Sequence, residues 1–461
     1  MDARIRPAAF LALLAFAFAS ATALLGSTAF GQPAVAPALS AVAQGDSKSD
    51  NTKSTTSVRV ARLVKNLGSP SYAARQAANE ELAELGPLAA EQITLAAKSN
   101  DPEVRTRARQ LLHRIKVAEI WNASTVELGP SKLTIEEAAE SLNLQTVNRL
   151  ETGDQYANFR PASVTFPSGT MTFWSAVDEL CRQSKNRFRP SFGSGPSHWV
   201  LIDSDGNTGN CPIAYAGPVR AQICSARRVF VEDFDFRKGE TEVSHAIQFS
   251  IQLCWENRFR LMARRSQLDV AEAIDNVTGE PLLADVTTDD WCVFDGRHPR
   301  AKMSIRLRPP PVEATRLRTL SLRWPVLAVG DYATLETDGL EEEKTYTAED
   351  ARLTVERIRQ RGNQWEATVA IRRDLVVPEP REILFKENDF EIVDDEGKTH
   401  PLRSSTKLGI TDSTARMKLV FATDSPAGQA VKLRMRFPRI RDQRDLMITF
   451  RDVPLPRALP K

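Results

Sequence analysis

Residues 245–256, "HAIQFSIQLCWE", carry the clearest secondary-structure signal in the C-terminal half of the chain. Every second position is apolar, and these positions are Ile247, Phe249, Ile251, Leu253 and Trp255. The side chains of a strand alternate between two faces, so this pattern predicts an antiparallel strand with one buried and one solvated face. The C-terminal half is therefore expected to be a β structure whose core lies on the apolar side of this strand.

Two further signals on either side of this strand occur twice in the same order. "AIDNVTGEPLL" at 273–283 is echoed by "IVDDEGKTHPL" at 392–402, and each predicts a strand, an acidic turn with glycine and a new strand. "LSLRWP" at 320–325 is echoed by "LRMRFP" at 433–438. This order predicts two consecutive antiparallel β-sandwiches, arising either by duplication or as two generic sandwiches. In strand number and turn spacing each resembles an immunoglobulin-like domain.

The segment "NDPEVRTRARQLL" at 100–112 predicts a helix in the N-terminal part of the chain. Asp101, Pro102 and Glu103 suit the N-cap and first turn of a helix, where free amides and the positive dipole end lie. Four positions recur after 30 residues, since Arg75, Ala78, Leu82 and Leu85 correspond to Arg105, Ala108, Leu112 and Ile115. The segment resembles HEAT-type repeats, which implies helical hairpins and assigns the arginines to a repeat pattern rather than to catalysis.

The next segment mixes strand and helix signals. Thr134 and Glu137 form a capping box, and "FWSAVDELCRQS" at 173–184 places Phe173, Ala176, Val177, Leu180 and Cys181 on one helical face. "HWVLID" at 198–203 reads as a short buried strand. This part resembles the small strand–helix–strand modules at the N-termini of secretins and TonB-dependent receptors. The resemblance implies a small α/β module, and no secretion function is carried over from it.

The N-terminus has the pattern of a secretory signal peptide. Arg4 and Arg6 precede an uncharged apolar run at 8–25, and the small residues Ala29 and Gly31 favour cleavage before Gln32. The alternative is an uncleaved membrane anchor, because the run is close to the shortest length that spans a bilayer. The protein is therefore expected to be exported to the periplasm, the cell envelope or the medium.

Together these signals divide the 461-residue chain into six segments of an α+β multidomain protein. The expected segments are a signal peptide at 1–31, a disordered linker at 32–57, HEAT-like helices at 58–120, a small α/β module at 121–215, and β-sandwiches at 216–328 and 329–461. This arrangement resembles a group of exported planctomycete proteins. The resemblance implies an envelope protein and carries over no site residue.

The composition argues against several partner and site classes. A net charge of +2 gives no reason to expect nucleic acid as a partner. The cysteines are Cys181, Cys211, Cys224, Cys254 and Cys292, an odd number without a C-x-x-C pair. This spacing argues against a zinc site, while export permits one or two disulfides whose pairing the sequence leaves open.

No motif of a catalytic or cofactor-binding site occurs in the sequence. The G-x-x-x-x-G-K, G-x-G-x-x-G, H-E-x-x-H and G-x-S-x-G patterns are absent, and the five histidines (His113, His198, His245, His298 and His400) are scattered. Residues 203–210, "DSDGNTGN", have alternating oxygen ligands but lack the glutamate of a calcium loop, so a turn is expected. The acidic runs at 232–236, 287–291 and 340–346 read as solvated loops. We therefore predict no catalytic residue, no metal site and no cofactor.

The sequence favours a non-catalytic protein-interaction or structural scaffold of the cell envelope, with an envelope protein or a cell-wall polymer as partner and no membrane span after signal cleavage. One alternative is a saccharide- or wall-binding protein, for which an exposed row of Trp291, Trp324 and Trp365 would be the signature. Another is a secreted hydrolase whose site is assembled across domains. The basic stretch at 256–265, "ENRFRLMARR", is expected to be a solvated connection, or else a contact for an anionic polymer.

Overall fold

The computed structural model describes residues 47–152, 163–191, 198–203, 211–282, 291–293, 299–374, 389–411, 413–422 and 429–457. Residues 1–56 form one unit and residues 57–461 another. The expected signal peptide lies outside the described residues, as does the expected linker up to residue 46. From residue 47 that linker segment is helical in the structure, where a chain without secondary structure was expected.

The N-terminal described segment consists of helices. They are α1 (Ser47–Asn66), α2 (Tyr72–Leu85), a short 3-10 turn (Gly86–Ala89), α3 (Ala90–Ala96) and α4 (Pro102–Trp121). The expected cap at Asp101 forms, because its side chain accepts from the amides of Glu103 and Val104. Ser71 caps α2 in the same way by accepting a hydrogen bond from the amide of Ala74. The apolar residues of these helices share one core, which includes Leu67, Leu82, Ile93, Leu111 and Ile115.

The repeat of 30 residues is visible in the contacts of two arginines. Arg75 Nη1 donates to the carbonyl oxygen of Ser69 at 2.7 Å, and Arg105 Nη1 donates to that of Ser99, also at 2.7 Å. Each arginine thus folds back from the first turn of its helix onto the loop that precedes it. The two helices therefore begin in the same way.

A small mixed segment follows. Its elements are β1 (Thr125–Glu127), β2 (Lys132–Leu133), α5 (Ile135–Gln145), β3 (Leu150–Thr152), β4 (Val164–Thr165), β5 (Thr170–Thr172), α6 (Phe173–Ser184), β6 (Asn186–Pro190) and β7 (Trp199–Asp203). β7 pairs with β3 in parallel and with β6 antiparallel. The Thr134–Glu137 capping box and the buried face of α6 are confirmed.

The C-terminal described part is built from strands. They are β8 (Ile213–Ala216), β9 (Val219–Asp235), β10 (Glu240–Trp255), β11 (Arg260–Arg265), β12 (Asp269–Asp275), β13 (Trp291–Val293), β14 (Arg300–Leu307), β15 (Arg316–Glu336), β16 (Lys344–Ala348), β17 (Ala351–Arg361), β18 (Gln364–Arg373), β19 (Asp389–Asp394), β20 (Thr399–Ile410), β21 (Thr414–Ala422) and β22 (Ala430–Pro454). Helices followed by antiparallel sheets confirm the coarse prediction of an α+β chain with a β-rich C-terminal region.

These strands form two sheets. One sheet has the order β14-β10-β9-β8, and the other has 11 strands and is centred on the pair β15–β22. The alternating strand is confirmed as β10, whose residues Ile247, Phe249, Ile251, Leu253 and Trp255 are all buried. These residues face β15 and β22 across the first β core, which also contains Leu320, Trp324 and Phe450.

The long strands β15 and β22 belong to two hydrophobic cores. Residues 316–330 of β15 pair with residues 440–454 of β22, and residues 332–336 pair with residues 434–438. The first of these two paired sections packs in the first β core and the second in another core, which contains Leu335, Leu353, Phe421 and Phe437. The boundary expected between residues 328 and 329 therefore falls inside β15, which passes from one core into the next.

Candidate functional surface

The residues considered for saccharide binding do not form a row on one surface. Trp324 is fully buried in the first β core and Trp365 is buried in the second. Trp291 is half-buried and packs against a small cluster around Met262. Two of the three aromatic rings are therefore committed to packing, which leaves the saccharide alternative without the feature that would have supported it.

The basic stretch at 256–265 is not a solvated connection, because residues 260–265 form β11 between β13 and β15. Arg258 and Arg260 line a cleft of about 330 Å³ together with Asp331, Tyr332 and Arg436. The guanidinium carbons of Arg260 and Arg436 lie 4.9 Å and 4.6 Å from the centre of the Tyr332 ring. Such a cleft presents cationic donors that suit a carboxylate, sulfate or phosphate group.

The histidines and acidic runs do not converge in the structure. His113 is on α4, His198 precedes β7, His245 is on β10 and His400 is on β20, while His298, residues 287–290 of one acidic run and most of the 203–210 turn lie outside the described residues. Among the described residues no group of three or more His, Cys, Asp or Glu side chains is placed to hold a metal ion.

One histidine is part of a buried pair. His400 Nε2 lies 2.8 Å from Asp394 Oδ2, and both side chains are buried. The hydrogen bond with His400, together with the backbone amides of Lys398 and Glu396, holds the pKa of Asp394 below its usual value. Because Asp394 Oδ1 also accepts from these two amides, the pair closes the turn between β19 and β20. We assign it a structural role.

Glu256 holds together three parts of the second unit. Its fully buried carboxylate accepts from the backbone amide of Ser124 at 2.8 Å, from Asn148 Nδ2 at 3.1 Å and from Arg258 Nε at 2.9 Å. Arg258 in turn donates to the carbonyl oxygen of Glu119 at 2.7 Å. The end of α4, the mixed helix–strand segment and the end of β10 thus share one buried acid. Residues separated by more than 100 positions meet here, so local sequence patterns gave no signal for this cluster.

The mixed helix–strand segment has a second polar contact with the β-rich region. Arg220 on β9 donates to both oxygens of Asp178 on α6 at 2.8 Å, and the Tyr215 hydroxyl donates to Asp178 at 2.6 Å. Burial and the neighbouring carboxylate raise the pKa of Tyr215 above its usual value. Tyr215 therefore stays protonated at neutral pH and keeps its hydrogen bond with Asp178.

An exposed apolar surface lies on the extension of β9 and β10 beyond their neighbours. β8 pairs with β9 only up to Gln222, and β14 pairs with β10 only from Ile247 onward. Residues 229–235 and 240–246 pair with each other along this ladder, and no other described strand pairs with them. We call this hairpin the β9–β10 arm. Within the described part of the chain, both of its edges carry backbone groups without a strand partner, so the arm can add contacts with another molecule.

One face of the β9–β10 arm continues the face that packs in the first β core. Directly opposite residues share a face of a sheet, and Arg228 lies opposite the core residue Ile247. The next positions on this face are Phe230, Glu232 and Phe234 of β9, opposite His245, Val243 and Thr241 of β10. With Phe236 in the turn, four apolar residues of the arm are exposed: Phe230 by 60%, Phe234 by 49%, Phe236 by 91% and Val243 by 50%.

The charges on this face are arranged symmetrically about Phe230. Arg228 lies two residues before it and Glu232 two residues after it, on the same face. Arg228 Nε donates to the carbonyl oxygen of Pro456 at 3.3 Å. The sequence analysis expected the acidic run at 232–236 to be a solvated loop, and this was wrong because residues 232–235 belong to β9. The run at 340–346 likewise ends in a strand, since residues 344–346 belong to β16.

Comparison of the chain with known protein families, with curated proteins and with solved structures finds no match. Within the part of the chain that the structure describes, no helix has the length and apolarity required to cross a membrane.

Proposed function

We propose that this protein is an exported, non-catalytic structural scaffold of the cell envelope, which assembles with a second copy of itself through the β9–β10 arm. Export is supported by the signal-like sequence at residues 1–31. HEAT-type helical hairpins and immunoglobulin-like sandwiches remain part of this proposal as its rigid body. The observation that carries the proposal is the solvent-exposed stripe of phenylalanines on the arm. The same face of β10 is buried in the first β core from Ile247 onward.

The type of partner can be inferred from how the same face of β10 packs inside the molecule. Where β10 enters the first β core, its apolar residues pack against another β-sheet. A partner that continues this packing must therefore present an apolar sheet face, and the arm of a second copy does so. Large exposed apolar surfaces on proteins mark interaction sites.

Charge complementarity favours the second copy over an unrelated sheet. When two arms stack face to face, antiparallel and centred on Phe230, Arg228 of each copy faces Glu232 of the other. Both charged pairs form at once, as a two-fold symmetric interface requires.

Sedimentation velocity on the purified full chain tests this assembly. We expect a dimer for the wild type and a monomer for the F230S/F234S variant, because the double substitution removes most of the apolar stripe. The matched control is L144S/V147S, which alters two exposed apolar residues near the end of α5 and should leave the dimer intact. A wild-type chain that stays monomeric at about 100 μM, two orders of magnitude above a micromolar Kd, contradicts the proposal.

The charge arrangement makes a sharper prediction about mixtures. Alone, the R228E variant brings carboxylates together across the interface and the E232R variant brings guanidinium groups together, so each should sediment as a monomer. Mixed in equal amounts, the two variants have complementary charges at both contacts and should form a heterodimer. Dimerisation of either variant alone, or its absence from the mixture, would contradict the proposed arm-to-arm geometry.

A further inference from the structure

Cys211 and Cys224 occupy directly opposite positions at the end of the β8–β9 hairpin. The paired residues of this hairpin run from Ala216 and Val219 at the turn to Ile213 and Gln222. The ladder continues by one further hydrogen bond, in which the amide of Ile223 donates to the carbonyl oxygen of Pro212 at 3.0 Å. The next pair of positions along the two chains is 211 and 224.

The alternation of an antiparallel ladder identifies the type of this pair. The bond between Ile223 and Pro212 makes them a hydrogen-bonded pair, so Cys211 and Cys224 form a non-hydrogen-bonded pair. In regular pairs of this type the Cα atoms lie about 4.5 Å apart, within the range of about 4.4–6.8 Å that a disulfide spans. Against β10 the strand β9 has a β-bulge, in which Ile223 lies opposite Ile251 and Ser225 opposite Ser250, so that Cys224 is the inserted residue. The register between β8 and β9 places Cys224 opposite Cys211.

The side chains of both residues lie on the same accessible side of the sheet. Ile223 points into the first β core, so its neighbour Cys224 points to the outer face, where its side chain is exposed. Cys211 is half-buried. Burial, and after it the negative charge that Cys211 carries when ionised, raises the pKa of Cys224, as expected for two cysteines on neighbouring strands.

We propose that Cys211 and Cys224 form a cross-strand disulfide. The other cysteines are placed differently: Cys181 and Cys254 are buried and Cys292 lies in the other sheet. The bond would close the hairpin whose turn residue Gly217 lies against the carbonyl oxygen of Trp121 at the end of α4. The bond would therefore hold together the hairpin whose turn contacts the end of α4.

The oxidant is a disulfide, which in the cell would be that of an envelope thiol oxidase if the protein is exported as proposed. The Cys224 thiolate attacks the disulfide and releases one thiol, leaving a mixed disulfide on Cys224. The Cys211 thiolate then attacks the sulfur of Cys224, the Cys211–Cys224 bond forms, and a second thiol leaves. Two protein thiols lose two electrons and two protons, and one disulfide is reduced to two thiols.

Peptide mapping of the purified full chain tests the proposal with oxidised glutathione as the reagent. The reduced protein is incubated with the reagent, remaining thiols are alkylated, and the protein is digested with trypsin without reduction. Trypsin cuts between Arg220 and Ala221 and leaves the Arg189–Pro190 bond intact, so Cys211 is in peptide 188–220 and Cys224 in peptide 221–227. We expect a new species with the summed mass of these two peptides less two hydrogens.

The variants C211S and C224S should each lose this cross-linked species, and C292S, the matched control, should retain it. The measurement on the wild-type protein does not depend on whether any variant folds. Recovery of Cys224 alkylated, linked to Cys254, or arrested as its glutathione adduct would overturn the proposal. Because the test uses purified protein, its outcome does not depend on whether export or dimerisation is correct.

Discussion

At the scale of single residues, Glu256 connects three segments of the chain through one buried carboxylate. A fully buried carboxylate is costly unless its oxygens are paired, and here amide, hydroxyl and guanidinium donors surround it. The sequence predicts where Glu256 lies, since it follows Trp255 at the end of the alternating strand. The sequence does not predict that Ser124 and Asn148 are its partners, because no local pattern connects positions so far apart.

We expect the E256A variant to lose about 3–5 kcal/mol of unfolding free energy, because the buried donors of Arg258 and Asn148 lose their acceptor. The control is E81A, which breaks the exposed ion pair between Glu81 and Arg59 and should cost about 1 kcal/mol or less. Urea unfolding followed by tryptophan fluorescence gives both values. Equal midpoints for the two variants would contradict the role assigned to Glu256.

At the scale of secondary-structure elements, the end of α4 shows how far periodicity carries a prediction. The pattern at residues 100–112 correctly predicted a capped helix with a buried stripe. It did not indicate that Ile120 and Trp121 belong to the first β core, where Trp121 Nε1 donates to Asp442 at 2.7 Å. Periodicity reports which face of a helix is buried but not which element covers it. The docking of α4 is therefore a finding of the structure.

Two glycines make the close approach of α4 possible. A Cβ atom on Gly217 would lie 2.2 Å from the carbonyl oxygen of Trp121, and one on Gly330 would lie 2.7 Å from Ile120. Gly217 also has a φ of +54°, a backbone conformation that L-residues rarely adopt. The hairpin turn thus needs glycine for two separate reasons.

We expect G217A to destabilise the protein by more than about 3 kcal/mol, since the new methyl group forces the β8–β9 turn away from α4. The matched control is G397A, where φ is +79° and no atom would lie within 4 Å of the Cβ. That variant should show only the backbone cost of about 1–2 kcal/mol. Thermal unfolding followed by circular dichroism distinguishes them, and equal losses would show that α4 does not pack on the turn as described.

The two predicted strand–turn–strand segments, at 273–283 and 392–402, differ in the structure. In the second copy the turn between β19 and β20 forms, closed by Asp394. In the first copy Asp275 accepts from the amides of Val277 and Thr278 in the same manner, and an isolated bridge between Ile274 and Pro281 follows just before the described residues end at 282. The hydrogen bonds of a turn involve residues close in sequence, so the sequence can predict them. The pairing of the strand that follows depends on residues that are distant in sequence.

At the scale of the whole molecule, the pair β15–β22 explains why a linear division of the C-terminal half could not be read from the sequence. Local signals located the two β-rich stretches, but the last strand returns to the first core. Leu446, Ile448, Phe450 and Val453 are buried there beside β10 and β15. The strand order of a sheet is set by contacts between distant segments, and a single sequence holds no direct record of them.

Removal of residues 440–461 should therefore damage a core that is formed mainly by residues some 120–220 positions earlier. The truncated chain keeps the part of β22 that pairs with residues 332–336, so the second β core retains Leu433, Met435 and Phe437. The first β core loses four buried side chains and the hydrogen-bonded partner of residues 316–330. Each large buried side chain lost costs about 2–5 kcal/mol, which together exceeds the stability of a typical domain.

Hydrogen exchange measured by mass spectrometry locates the damage. We expect the amides of β10, β12 and residues 316–330 of β15 to exchange rapidly in the truncated chain, while those of β17, β18 and β21 stay protected. A chain that ends at residue 457 keeps β22 entire and serves as the control. Unchanged protection of β10 and β15 would mean that the C-terminal strand is dispensable for the first core. Loss of protection in both cores would mean that the shared strands make them one cooperative unit, because the second core then cannot persist without the first.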